Sequence, residues 1–212
     1  MPESASPVQS RQAGTAGLLW PAATGSAGLA RGVLFAVGGA CLLTLSAKMQ
    51  VPGPVPMTLQ TLAVMALGAA LGMRLAIASV VLYLAQGAFG LPVFANTPPM
   101  VPGLAYFLGP TGGFLLGFVV AAGMVGYAAD RGLMRRPIAF ALALTAANVA
   151  MMAIGAAWIA LIAQTSSGMG LGFAKAWALG VQPFMLGNAI KLAIAALAFP
   201  AIYQAFLRLA RR

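Results

Sequence analysis

The sequence predicts an all-α integral membrane protein, a bundle of six transmembrane helices. Of its 212 residues, 61% are hydrophobic and only 7% are charged, whereas a soluble domain carries about 25% charged residues. Apolar runs of roughly the length needed to cross a bilayer recur along the chain. Two acidic and twelve basic residues are too few to cover a water-facing surface, so membrane lipid is the expected surrounding.

The chain divides into a tail and one membrane domain. Residues 1–27 are rich in small residues and proline, which predicts a flexible, uncleaved cytoplasmic tail. Residues 28–212 form the predicted membrane domain. Its six apolar runs lie near 28–48, 57–73, 74–90, 111–129, 137–163 and 181–207. Between the second and third runs, Gly72, Met73 and Arg74 predict a tight turn.

Two segments between the runs are predicted to lie outside the membrane. Residues 91–110 are uncharged and hold five prolines, too many for a spanning helix. They predict a structured external loop between the third and fourth helices. Residues 164–180 form a second external segment, in which Ala174 to Leu179 predict a short interfacial helix.

The basic residues give the orientation. With six spans, all nine arginines fall on the same side as both termini, and the positive-inside rule makes that side cytoplasmic. Lys48 and Lys175 fall outside, and Lys191 falls within the sixth run. The cations stand at the ends of apolar runs and form no basic polar face, so no nucleic-acid partner is expected.

The residue types exclude most catalytic chemistry. There is no histidine, and the only acids are Glu3 in the tail and Asp130 at the end of the fourth run. No pair of carboxylates can share acid–base work in a membrane pocket, and no phosphate-binding GxxxxGK[ST] loop is present. The sequence therefore predicts neither an enzyme nor a metal or cofactor site.

Lys191 is the one charge well inside an apolar run. It lies roughly 13 Å below the outer end of its helix, where an ionised lysine costs about 2.5 kcal/mol or more. No acid stands inside any predicted span to pair with it. Two interpretations follow: the amine is neutral or reaches a wet crevice, or an external anionic ligand supplies the missing charge.

Three helix starts favour the ligand interpretation. The second, fourth and sixth runs begin outside, so their free N–H groups point into the external half. Each start carries polar, small or aromatic residues suited to a pocket. Taken singly, each of these motifs is also explained by helix capping or by close packing of helices. These residues are Thr58, a predicted N-cap, and Gln60; Thr111, Gly112 and Gly113; and Phe184 with Asn188, which shares a helix face with Lys191.

The first run carries a stripe of small residues. Gly28, Gly32, Ala36 and Ala40 recur every four residues, a spacing that lets two helices approach closely. The stripe predicts either packing inside the bundle or a docking face for a partner subunit.

Four segments together resemble the BioY family, the biotin-binding S-components of energy-coupling factor (ECF) transporters. Residues 55–64 resemble its PVPxTLQTLAV segment, and residues 90–95 resemble GLPVFA. Residues 108–118 resemble GPTGGYxxGF, and residues 180–191 resemble GVxPFxxGDxxK. The resemblance covers about residues 30–205 in the family's order and spacing.

The resemblance implies a six-helix protein of the bacterial inner membrane that captures biotin from outside. It implies that Lys191 faces the valerate carboxylate, and that Asn96, Tyr106 and the Thr111–Gly113 stretch line the ring end. The Ala36 and Ala40 pair then resembles the contact with a transmembrane coupling subunit. Two ATPase subunits would supply the energy, and ATP would be used by those partners alone.

One position departs from the family pattern. Asn188 stands where the family usually has Asp, so Lys191 has no internal acid and depends more on the ligand's charge. An amide still accepts and donates hydrogen bonds. Two alternatives remain: an S-component for another small anionic vitamin, and a membrane scaffold without a ligand.

Overall fold

A computed structural model describes residues 25–51, 57–96, 103–165 and 168–209. Most of the predicted tail, residues 1–24, lies outside these ranges. Its last three residues were assigned wrongly, because the first helix already begins at Gly25.

Seven α-helices and two short hairpins make up the described chain. The long helices are α1 (Gly25–Lys48), α2 (Gln60–Ala88), α4 (Gly112–Asp130), α5 (Pro137–Leu161) and α7 (Met185–Leu209). The short ones are α3 (Leu104–Leu108) and α6 (Phe173–Gly180). The hairpins pair β1 (Gln50–Val51) with β2 (Met57–Thr58), and β3 (Gln164–Thr165) with β4 (Gly168–Met169).

Five helical stretches in these ranges are long and apolar enough to cross a membrane. They are α1, α2, α4, α5 and the stretch Phe173–Leu209, which includes α6 and α7. The chain is therefore an all-helical, multi-pass membrane protein. The predicted second and third runs together form α2.

Helix α2 is broken at the predicted turn. Gly72 has φ 75° and ψ 177°, a conformation outside the helical region that glycine adopts most easily. At the far ends of the two halves, the Gln60 amide nitrogen donates a hydrogen bond to the Tyr83 hydroxyl at 2.7 Å. The two halves therefore lie side by side, and the chain reverses direction at Gly72.

Asp130 fixes this reversal from the end of α4. Its carboxylate accepts a hydrogen bond from the backbone N–H of Met73 at 3.0 Å, the first residue after the break. A carboxylate at this position satisfies a free N–H and interacts favourably with the helix dipole. The acid thus caps the second half of α2.

Replacing Asp130 by alanine should lower the free energy of unfolding by about 1 kcal/mol, the usual cost of losing a side-chain cap. Asn at the same position keeps an acceptor and should recover most of the loss. Thermal unfolding of the detergent-solubilised variants measures this. An alanine variant as stable as the parent would show that the contact contributes nothing.

Two predicted helix starts were wrong. Helix α2 begins at Gln60 because Met57 and Thr58 use their backbone groups to pair with β1. Leu59 occupies the N-cap position, so Thr58 is not the cap. Helix α7 begins four residues later than predicted, after a 3₁₀ turn over Gln182–Phe184.

The described residues between α2 and α4 pack into the bundle. Phe94 is fully buried and stacks on Tyr106 of α3 with 4.6 Å between ring centroids. The Tyr83 and Phe94 rings meet in a T-shaped arrangement with 5.4 Å between their centroids. The described part of the predicted loop is therefore anchored by aromatic contacts. The predicted short helix near Ala174 is present as α6, and its place at a membrane interface stays a prediction.

Candidate functional site

A cavity of about 310 Å³ lies among the starts of α2, α4 and α7 and the loop after α2. This volume falls in the range typical of small-molecule sites. Its walls are mainly apolar, with a few polar groups and one charge. The lining residues are Gln50, Met57, Thr58, Gln60, Thr61, Tyr83, Ala95, Asn96, Tyr106, Thr111, Phe114, Leu115, Phe118, Met151, Met152, Phe184, Asn188 and Lys191.

Lys191 is the only charged residue among those that line the cavity. Its side chain is 7% exposed, and its Nζ donates a hydrogen bond to the backbone oxygen of Thr58 at 2.7 Å. An ammonium group has three donors, so this neutral acceptor satisfies only part of its capacity. Among the described residues the one carboxylate is that of Asp130, which bonds to Met73.

Asn188 lies one helical turn before Lys191 on α7 and is 6% exposed. Its amide nitrogen donates to the Met152 sulfur of α5 at 3.3 Å. One N–H of the amide is thereby engaged, and the amide oxygen remains as an acceptor. The pair therefore presents a cation and an amide at one wall of the cavity.

A chain of polar groups begins at Thr58, the residue whose backbone oxygen Lys191 contacts. Gln60 donates to the Tyr83 hydroxyl, and its own amide oxygen lies 3.2 Å from the Thr58 hydroxyl, which donates to it. The Tyr83 hydroxyl in turn lies 3.4 Å from the backbone oxygen of Val93. Gln60 is thus held in one orientation by neighbours on both sides. Sequence reasoning missed Tyr83, because one tyrosine in an apolar run looks like a core residue.

The loop after α2 contributes the rim. The Gln50 amide nitrogen donates to Asn96 Oδ1 at 2.9 Å, and the Tyr106 hydroxyl donates to the Ala95 oxygen at 2.7 Å. Burial raises the pKa of the Tyr106 phenol, an effect partly offset by its hydrogen bond with Thr111. The phenol therefore stays protonated near neutral pH and keeps its role as a donor.

Gly112 and Gly113 do not line the cavity. A Cβ on Gly112 would collide with the backbone oxygen of Phe107, and one on Gly113 would lie 2.8 Å from Trp158 Cγ. The Trp158 indole also donates to the Gly109 oxygen at 3.0 Å. These glycines allow α4 to pack closely on α5. The sequence had predicted instead that they let a ligand approach the backbone.

The small-residue stripe of α1 is fully packed into the bundle only at its Ala40 end. Ala40 is fully buried, and a Cβ on Gly32 would lie 3.7 Å from the Leu75 side chain. Ala36 lies between them and is only partly exposed. Ala40 is therefore removed from the predicted partner contact, since it is packed inside the protein. Gly32 and Ala36 keep some exposed surface.

Seven predicted site residues line the cavity: Lys191, Asn188, Thr111, Asn96, Tyr106, Gln60 and Phe184. The residues of α4 and α5 that form the apolar walls were not identified from the sequence. Phe114, Leu115, Phe118, Met151 and Met152 stand in runs where nearly every residue is apolar. Only packing decides which of them face a cavity.

Comparisons with known proteins agree with this architecture. The model of the BioY family matches residues 14–208. A biotin transporter BioY of Rhizobium etli is 37% identical over 151 residues, 68% of this chain and 75% of the relative. A probable biotin transporter BioY of Pyrococcus horikoshii is 36% identical over 143 residues, covering 68% and 77%. BioY2 of Lactococcus lactis is 33% identical over 158 residues, covering 74% and 81%.

A solved structure shares the fold. The S-component for biotin from an ECF-type ABC transporter superposes with a TM-score of 0.70 at 19% sequence identity. The match covers 86% of this chain and 95% of the solved chain.

Proposed function

The chain belongs to the BioY family, and on that premise we propose that it is the membrane subunit that binds biotin for uptake by an ECF transporter. It is a transport protein and not an enzyme. The relatives named as biotin transporters cover most of its length. Biotin is the ligand, and the chain itself needs no cofactor.

The observation that carries this proposal is the buried, incompletely satisfied ammonium of Lys191. The cavity offers this cation a backbone oxygen at 2.7 Å and no carboxylate among its lining residues. The valerate carboxylate of biotin supplies the missing anion. A charge-assisted hydrogen bond in a water-poor site is shorter and stronger than a neutral one, so the pair gives both affinity and orientation.

The rest of the cavity suits the bicyclic ring. Asn188, Asn96 and Tyr106 provide amide and hydroxyl groups for the ureido unit, while Phe114, Phe118 and Phe184 provide apolar contact. With the family's usual Asp replaced, the amide oxygen of Asn188 accepts from a ureido N–H without a formal charge. Thr111 and Gln60 add to the polar lining, and Gly112 and Gly113 act on the ligand only through the packing of α4.

Six crossings of the membrane agree with the reversal at Gly72. If each half of α2 crosses once, the chain has six spans and both termini are cytoplasmic. The six spans are α1, the two halves of α2, α4, α5 and α7. Arg74, Arg131 and Arg135 then lie on the cytoplasmic side, as the positive-inside rule requires. The cavity opens on the other side, outward from the bacterial inner membrane. The loop after α2 is then external.

Transport requires partners: a transmembrane coupling subunit and a pair of ATPase subunits. Gly32 and Ala36 on α1 are the proposed points of contact with the coupling subunit. The partners hydrolyse the ATP, and this subunit changes orientation within their complex.

Replacing Ala36 by tryptophan should abolish co-purification with the coupling subunit and leave biotin binding intact, because the indole would hold the helices apart. Val149→Trp is the matched control, since Val149 is 59% exposed on α5. Pull-down of the tagged subunit and biotin binding are measured on the same samples. If biotin binding is lost together with co-purification, Ala36 serves internal packing.

The direct test of the function is equilibrium binding of biotin to the purified full chain in detergent. The expected result is saturable, one-to-one binding that other small anionic vitamins do not compete for at equal concentration. Competition by another vitamin would move the substrate assignment to that compound. Absence of all binding would leave the fold without the proposed activity.

A further inference from the structure

One buried polar group in α5 has no use in the site described so far. Asn148 is 8% exposed, and its Oδ1 is the only fully buried side-chain nitrogen or oxygen among the described residues without a hydrogen-bond partner. Native structures satisfy nearly all such atoms, because an unpaired acceptor in an apolar medium is costly. The exception points to a partner that joins the protein from outside.

Asn148 lies just beyond the floor of the cavity. Met151 and Met152, three and four residues further along α5, line the cavity, and residues at these spacings share a helix face. Met152 is also the residue whose sulfur accepts from Asn188. Met152 therefore contacts one amide at the cavity wall, and the second amide stands one helical turn away on the same face of α5.

The floor is built from side chains that can move. Methionine is unbranched and adapts to irregular gaps, and the contact between Met152 and the Asn188 amide is a weak one because a thioether is a poor acceptor. A bound ligand can therefore push the Met152 side chain aside without breaking a strong hydrogen bond. Displacement would expose Asn148 Oδ1 to the cavity.

We propose that Asn148 is an additional ligand-binding residue: its Oδ1 accepts a hydrogen bond from a ring N–H of the bound ligand when the Met152 side chain moves aside. The proposal rests on the proposed function and specifies the ligand class as a cyclic urea. Such a ring carries two N–H donors. Asn188 takes one and Asn148 takes the other, so the two asparagines read the ureido group together.

The test compares Asn148→Leu and Asn148→Ala with the parent protein, using biotin and the two biotins that carry one methyl group on a ureido nitrogen. Thr145→Val is the control, because Thr145 is exposed on the same helix. Its hydroxyl donates a hydrogen bond to the backbone oxygen of Ala141, one turn earlier on α5. Affinities are measured by titration of the full chain in detergent, with thermal unfolding of the ligand-free protein measured in parallel.

Both Asn148 variants should bind biotin about tenfold more weakly, a factor equal to 1.4 kcal/mol, while ligand-free stability is kept or raised. One of the two methylated biotins should bind the parent and the variants equally. Its methyl group and the substitution at Asn148 each remove the same hydrogen bond, so the two losses do not add. The proposal would be overturned if the variants bound biotin as tightly as the parent, or if the affinity losses from substitution and from methylation added. Asn148 Oδ1 would then bond to a buried water or serve only packing. Failure of the parent itself to bind biotin would overturn the proposed function as well.

Discussion

Replacing Lys191 by methionine is expected to lower the affinity for biotin by at least about 100-fold. In the complex the variant leaves the carboxylate in a buried site without a cation. Removing one partner of a buried charged pair costs about 3–5 kcal/mol, and each 1.4 kcal/mol is a factor of ten in affinity. Methionine has nearly the length of the lysine chain, so the shape of the site is largely preserved.

Lys175→Met is the matched control. Lys175 is exposed on α6, so its loss removes one positive charge without touching the cavity and should leave the affinity unchanged. Titration with biotin and thermal unfolding of both variants separate a loss of binding from a loss of fold. A stable Lys191→Met variant with parental affinity would remove Lys191 from the site.

Replacing Gly126 by alanine should destabilise the whole bundle. An ideal Cβ at this position of α4 would lie 2.5 Å from the backbone nitrogen and Cα of Met73, directly after the break in α2. Backbone atoms cannot rotate away as a side chain can, so the helices must separate. Overpacking of this kind costs about 1–3 kcal/mol, sometimes more, which for a chain of this size lowers the melting temperature by roughly 2–12 °C.

Gly123→Ala provides the control one turn earlier on the same helix. There the added Cβ would meet only the end of the Ile77 side chain, at 3.3 Å, and a small rotation relieves the contact. This variant should unfold within about 2 °C of the parent. Equal melting temperatures for Gly126→Ala and the parent would show that α4 and the reversal of α2 are not packed this closely.

The sequence predicted features that depend on local chemistry. The turn at Gly72 followed from a glycine beside a charge between two apolar runs. The cost of an isolated charge singled out Lys191, which the structure places at the cavity wall, and its role in binding stays a prediction. Helices α4 and α5 were placed to within about two residues of their observed bounds, because prolines, glycines and arginines mark their ends.

Features that depend on packing were beyond sequence reasoning. The glycines of the Thr111–Gly113 stretch looked suited to a ligand, yet Gly112 and Gly113 pack against Phe107 and Trp158, which stand in a predicted loop and in another apolar run. The stripe on α1 allowed two readings, and only the burial of Ala40 favours internal packing at that end. In an apolar sequence hydrophobicity does not distinguish lipid-facing from cavity-facing residues, so Tyr83 and Asn148 gave no signal.

The measurement that tests the pairing of Lys191 with the ligand carboxylate most directly is the affinity of the parent chain for biotin compared with biotin methyl ester. The ester keeps the ring and chain but removes the negative charge, so it should bind at least about 100-fold more weakly. The same comparison in Lys191→Met should show a much smaller difference. Equal affinity of the parent for acid and ester would contradict the proposed role of Lys191 and of the cavity it lines.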